Sequence, residues 1–306
     1  MEIAVVAEPI IEAFFDKHTH TISYLVVEPV ACVAAVIDPV LGFDMPSGEV
    51  DTTSADHILA LAKAKGWRIT MVLETHAHAD HLSAASYIKE KTGARVAIGE
   101  HIQEVQKIFR PVFALYHLEA DGSDFDQLLA EGDRIELGAL EIQVLHTPGH
   151  TPADMTYRIG NTAFVGDTLF MPDYGTARTD FPGGDARALY RSIRRLLDLP
   201  GGTRLLLCHD YTGPDREEHR WETTVREQRQ ANIHVNDRIT EEEFVAMRQA
   251  RDATLLVPKL LLPSIQVNIC AGRLPDADEN GARFLRIPLK VKKTTGQLSP
   301  AELGKT

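Results

Sequence analysis

The densest chemistry in the chain is the run His76-Ala77-His78-Ala79-Asp80-His81, with three imidazoles and one carboxylate in six positions. Residues two apart at the end of an extended segment project to the same side, so His76 and His78 can approach one ion together. Asp80 and His81, slightly further on, would face a neighbouring point. Three other pieces stand further down the chain: Thr147-Pro148-Gly149-His150, Gly166-Asp167-Thr168 and His209-Asp210-Tyr211. Each follows a strand-like run (EIQVL, TAFV or RLLLC), so each belongs on a loop at a sheet end, where sites are usually built. Singly, each reads equally well as a turn histidine, a capping aspartate or a surface pair. Together they suggest a metal centre, and imidazole with carboxylate suits zinc and iron alike.

The remaining candidates are weaker. His18 and His20 alternate before the first apolar run, His146 stands four before His150 as a possible supporting group, and the other histidines have no partner spacing. Cys208, inside RLLLC, reads as a small buried apolar residue rather than a nucleophile.

The elements that must position these groups follow from the pattern of apolar residues. Thr21–Glu28 and Ala31–Asp38 read as paired strands around Pro29, 39–50 as loop, and Ser54–Lys65 as a helix stopped by Gly66. Arg68–Leu73 is a strand, and a helix is expected through His81–Lys91. Short strands are expected at Arg95–Ile98, Ile135–Leu137, Glu141–Leu145, Asp154–Ile159, Thr162–Val165 and Arg204–Cys208. Helices are expected at Asp185–Leu197, Glu217–Gln230 and Glu241–Arg251, the last two exposed. The apolar stretch Leu255–Ile269 either packs back on the body of the protein or meets a partner. The polar tail after Pro288 reads as a loose end.

The chain has 306 residues, 44 acidic against 32 basic, and a net charge of −12, a balance that argues against nucleic acid as a partner. No stretch approaches the roughly 18 consecutive apolar residues of a membrane span, and the acidic start lacks the basic flank of a signal peptide. Three scattered cysteines suit a reducing compartment, so the expectation is a cytoplasmic enzyme.

In order along the chain, HAHADH, TPGH, GDTLF and the late His209 resemble the metal-binding motifs of the metallo-β-lactamase superfamily, from about Thr21 to Asp210. The resemblance implies an α/β fold, a four-layer αββα sandwich with the metal in a cleft at one sheet edge and a C-terminal helical extension. It divides the chain into a catalytic domain at 1–253, an extension packing on it at 254–290 and a tail at 291–306. Residue by residue, His76, His78 and His150 match a first metal site, Asp80, His81 and His209 a second, and Asp167 the bridge between them. A dinuclear zinc hydrolase of glutathione thioesters, like glyoxalase II, would use all seven.

The segment Arg178-Thr179-Asp180-Phe181, together with His209-Asp210-Tyr211, resembles instead the persulfide dioxygenase branch. That branch implies one Fe(II) per chain on the residues matching His76, His150 and Asp167, with His78, Asp80, His81 and His209 behind them. The implied reaction oxidises glutathione persulfide with O2 and water to sulfite and glutathione. Tyr211 and Arg178 are then the expected catalytic and substrate contacts, with Asp180 holding Arg178 in place. Symmetric dimers are common in the family, so a homodimer is possible, although no patch in the sequence demands one.

Overall fold

The structure is a computed structural model and describes residues 8–213 and 215–289. The tail expected at 291–306 lies outside the described residues.

Two six-stranded sheets form the centre. The first contains, in spatial order, β1 (Ile10–Asp16), β2 (Thr21–Glu28), β3 (Val33–Ile37), β6 (Arg68–Leu73), β8 (Arg95–Gly99) and β9 (Gln127–Leu129). A small sheet of β5 (Glu49–Asp51), β4 (Val40–Asp44) and β7 (Leu82–Ser83) adjoins the metal loop. The second large sheet runs β10 (Arg134–Leu137), β11 (Leu140–His146), β12 (Met155–Ile159), β13 (Thr162–Phe164), β14 (Arg204–Leu206) and β15 (Glu222–Thr224).

Side-chain alternation explains the layers. On β2, Ile22, Tyr24 and Val26 point between the two sheets and meet Ile142, Val144 and Tyr157 of the other sheet. Leu25 and Val27 point the opposite way, into a core shared with α1 (Thr53–Lys65), α2 (Ala85–Thr92), α3 (Ile102–Val112) and α7 (Leu261–Asn268). The strand is therefore buried on both faces, as its continuous apolar run requires. The second sheet's outer face packs on α4 (Ala186–Leu197), α5 (Val225–Ala231) and α6 (Glu241–Asp252) through Ala163, Leu205, Leu189, Ile193 and Phe244. Helix, sheet, sheet and helix give the expected αββα sandwich. Each fully buried Leu, Ile or Val in these layers contributes about 1.5–3 kcal/mol.

The ends that carry the site are joined across the sheets. The amide of Ile22 donates to the Cys208 carbonyl at 2.7 Å, and Thr21 pairs with His209 in an isolated bridge. Asp185 caps α4 by accepting from the Ala188 amide at 2.7 Å, which fixes where that helix begins beneath the TPGH turn.

Four expectations are corrected. The segment 39–50 holds strands β4 and β5 rather than loop alone, because Asp44 accepts from the Ser47 amide and closes a tight turn between them. The helix expected through His81 begins only at Ala85; Leu82 and Ser83 pair with β4 instead, leaving His81 on an irregular loop that can aim its ring inward. In the helix expected at Glu217–Gln230, residues 222–224 are a strand on β14. The helix starts after Thr224, which with Glu227 forms a capping box. The N-terminal strand β1 and helix α3 were not foreseen. Helix α6 is not merely exposed either, since Phe244, Arg248 and Asp252 are buried. Among the described residues no helix is long and apolar enough to cross a membrane.

Candidate metal centre

The four motif pieces meet at one end of the sandwich. His76 leaves β6 and carries its Nε2 to 3.9 Å from Asp167 Oδ2, while His150 Nε2 lies 3.7 Å from the same oxygen. His209 Nε2 lies 3.4 Å from the other Asp167 oxygen and 3.2 Å from Asp80 Oδ2. The donors gather into overlapping groups: His76, His150 and Asp167 form one and His78, Asp80, His81 and His209 another, while Asp167 with His209, and His78 with Asp38, also lie close to Cys208, ligand atoms in each group being within 4.8 Å of one another.

Each imidazole has one nitrogen held from outside and the other left for the centre. His150 Nδ1 donates to the Arg178 carbonyl at 2.8 Å, and His76 Nδ1 pairs with the Thr75 hydroxyl at 3.0 Å. His81 Nδ1 and His209 Nδ1 both face the Thr21 hydroxyl, at 3.3 and 3.4 Å. His78 is turned the opposite way: its Nε2 donates to Asp38 at 3.0 Å and lies 3.5 Å from Glu74. The inward atoms His76 Nε2, His78 Nδ1, Asp80 Oδ2, His81 Nε2, Asp167 Oδ1 and His209 Nε2 are buried and have no hydrogen-bond partner. An unsatisfied buried polar atom costs about 1–3 kcal/mol, so six in one place do not belong to an ordinary core. They fit a cation, which takes these lone pairs directly, and their outer hydrogen bonds set the tautomer each ligand needs.

Electrostatics agree with that use. Burial, reinforced by the neighbouring imidazoles, holds His76 well below the ordinary imidazole range, so it is neutral and free to ligate. Burial also opposes charge on His78, but Asp38 and Glu74 outweigh it and raise its proton affinity, favouring a cation beside Nδ1. Asp80 resists burial because His209 and His81 keep its carboxylate charged.

Turn chemistry brings the distant pieces in. Gly149 has φ of 146°, and a Cβ there would meet Leu189 Cα at 2.3 Å, so only glycine lets the TPGH turn rest on α4. Gly166 has φ of 53°, with Thr75 Oγ1 2.7 Å from where a Cβ would sit, which packs the Asp167 turn directly on the metal loop. Two aspartates that sequence reasoning missed complete the support. Asp38 accepts from the Thr75 amide and hydroxyl as well as His78, and Asp154 accepts from the Thr151 amide and hydroxyl, both at 2.7 Å. Burial pushes the Asp154 carboxyl up to about 6. The one signal for Asp38 was an acid closing an apolar strand just before Pro39.

A cavity of about 260 Å³ opens on the centre, lined by Asp80, His150 and Asp167 on one side and by Tyr211, Arg178 and Arg251 on others. Tyr211 stacks on His209 at 5.5 Å between ring centres. Burial, and then the Asp80 and Asp167 carboxylates, raise its phenol well above the usual value, so it stays protonated. Arg178 makes two bonds to Asp180, at 2.5 and 2.6 Å, and one to the Leu256 carbonyl at 2.7 Å. His146 points away, to the Pro152 carbonyl at 2.9 Å, and His20 lies against Tyr211. Burial raises the Cys208 thiol well above its usual range, as an inert core residue requires.

This fold and this ligand set are those of a metal-dependent enzyme class, and the chain belongs to the metallo-beta-lactamase superfamily, whose family model matches residues 23–209. Among individual proteins, it is 53% identical over 293 residues to a probable metallo-hydrolase of Burkholderia pseudomallei, covering 91% of this chain and 98% of that protein. It is 44% identical over 286 residues to Glyoxylase B2 of Dictyostelium discoideum, covering 92% and 98%. Among solved structures, ETHE1 from Myxococcus xanthus superposes with a TM-score of 0.70 at 30% identity, over 86% of this chain and all (100%) of that one.

Proposed function

We propose that the protein is a mononuclear Fe(II) persulfide dioxygenase that oxidises glutathione persulfide with O2 and water to sulfite and glutathione. The observation that carries this reading is the convergence of His76, His150 and Asp167 beside the open cavity, which His150 and Asp167 line. Two imidazoles and one carboxylate on one face of an octahedron leave the opposite face for substrate and dioxygen, the usual arrangement of non-haem iron oxygenases. The Arg178–Phe181 segment and the likeness to ETHE1 fit the same branch.

Iron held there supplies the redox couple and the open positions; the chain supplies orientation and charge. The Arg178 carbonyl keeps His150 Nε2 aimed at the centre, and Asp38 does the same for the neighbouring His78. Tyr211, protonated beside the carboxylates, donates a hydrogen bond to the persulfide sulfur. Arg178, held by Asp180, lines the substrate path, but its charge is already matched. Arg251 lines the same cavity, its guanidinium has no hydrogen-bond or ion-pair partner among the described residues, and it is the cation free to receive a glutathione carboxylate.

A second reading, a dinuclear zinc hydrolase of glutathione thioesters, is favoured by the complete second donor group and by the likeness to Glyoxylase B2. Metal analysis of anaerobically purified protein, paired with oxygen-electrode assays, separates the two. About one iron per chain and O2 uptake only with persulfide is the expected result. Stoichiometric zinc, thioester cleavage and no O2 uptake would sink the first reading and establish the second.

A further inference from the structure

The turn from His78 to His81 is gripped from outside by one side chain of the C-terminal helix, and we propose that Asn268 is the positioning residue that sets its geometry. Asn268 ends α7 and is 4% exposed. Its Nδ2 donates to the backbone carbonyls of His78 and His81, both at 2.8 Å, and its Oδ1 accepts from the Ser83 amide at 2.8 Å. The amide has one orientation, because the flipped form would set oxygen against two carbonyls and an NH2 against an N–H. All three partners therefore lie on the loop that carries His78, Asp80 and His81 or on β7, which follows it directly. Both carbonyls belong to residues whose rings present bare ligand atoms to the centre, so tilting either peptide moves a ligand.

The surroundings make the grip rigid. Gly272, just beyond α7, has φ of +75°, and a Cβ there would lie 2.7 Å from the Ser83 carbonyl oxygen, so backbone presses on backbone. Behind α7, buried Gln106 donates to the Ile269 carbonyl at 2.8 Å and accepts from the Gly122 amide at 2.9 Å, tying the helix end to α3. Ser83 hydrogen-bonds Glu74, whose other oxygen faces His78 Nε2, so the clamp and the charge behind His78 form one network. The α7 part of the apolar stretch that ends at Ile269 thus packs inward and brings an amide to the metal loop, while Leu255, Leu256 and Val257 stay exposed. The inference holds whichever ion and reaction the centre carries.

Titration of the metal-free full chain with Co(II), whose visible absorption reports its coordination, tests it. Asn268→Ala should raise the Co(II) dissociation constant about tenfold to a hundredfold, the usual cost of losing a group behind the ligands, and shift the visible band. Val267→Ala, buried on the same turn of α7, should lower the melting temperature while leaving affinity and band at wild-type values. Asn268→Asp keeps the shape and the acceptor for Ser83 but sets oxygen against the two carbonyls, so it reads the same contrast should the alanine variant fail to fold. Wild-type affinity and band in both Asn268 variants, or equal shifts in Val267→Ala, would overturn the proposal.

Discussion

The two donor groups of the metal centre differ in where their ligands come from and in what stands behind them. His76, His150 and Asp167 come from three separate loops and open on the cavity through His150 and Asp167. Their outer partners are neutral: a hydroxyl for His76 and a carbonyl for His150. His78, Asp80 and His81 come from one turn; with His209 the three histidines are fully buried, and Asp80 alone of this group lines the cavity. Behind His78 stand two carboxylates, Asp38 and Glu74. A substrate in the cavity therefore meets His150 and Asp167 of the first group and Asp80 of the second, whereas His78, His81 and His209 do not line it.

The largest test of that asymmetry is Asp167, which faces both groups. Asp167→Ala should empty the centre and cut persulfide-dependent O2 uptake well beyond the roughly hundredfold loss typical of an outer partner. Wild-type metal content by elemental analysis would contradict a ligand role. A sharper contrast comes from His150→Ala against His209→Ala. The first should lose the iron; the second should keep about one iron per chain with activity lower by about 10–100-fold. A change from two ions to one in His209→Ala would mean that both groups are occupied.

Asp38→Asn removes charge behind His78 only. Metal affinity, measured by chelator competition, should fall about tenfold while the fold is kept. An unchanged affinity would show that the carboxylate does not act through the ring. At the cavity wall, Arg251→Ala should raise KM about tenfold with kcat held, the loss expected for a single charge-assisted hydrogen bond. A fall in kcat at constant KM would place Arg251 outside substrate binding.

A separate effect, on stability rather than on binding or turnover, concerns an imidazole outside both groups. His234 accepts from the Thr176 amide at 3.1 Å. Burial, and then Arg248 and Arg251, hold its pKa down to about 4. It is neutral when folded and gains a proton more readily when unfolded, so its contribution is complete above about pH 6.5 and is lost as pH falls through about 4. That contribution is at most about 3 kcal/mol. Denaturation of wild type and His234→Gln between pH 4 and 7 should give converging stabilities at the acid end; parallel curves would refute it.

Much of this was legible in the chain because it is local. The HAHADH run, the TPGH and GDT turns and the strands before them are short patterns whose periodicity survives without knowledge of the rest. Boundaries beside the centre were misread because tertiary pairing overrode propensity: Leu82 and Ser83 join β4 although the run through Lys91 looks helical. Asp38, Asp154 and Asn268 left almost no local mark, since each acts on backbone or rings far away in sequence. Arg178 was legible as a cation held by Asp180, but its bond to the Leu256 carbonyl and the place of Arg251 on the same cavity wall were not.

By itself the sequence determined the ligand types, their order and the strand-then-loop frames that expose them, because residue identity and short-range spacing decide those. The tertiary structure alone decided which lone pairs are left bare, which donors line the cavity, and which C-terminal amide grips the loop. Those outcomes depend on distances between segments remote in the chain, which only the packing of the two sheets and their helices sets.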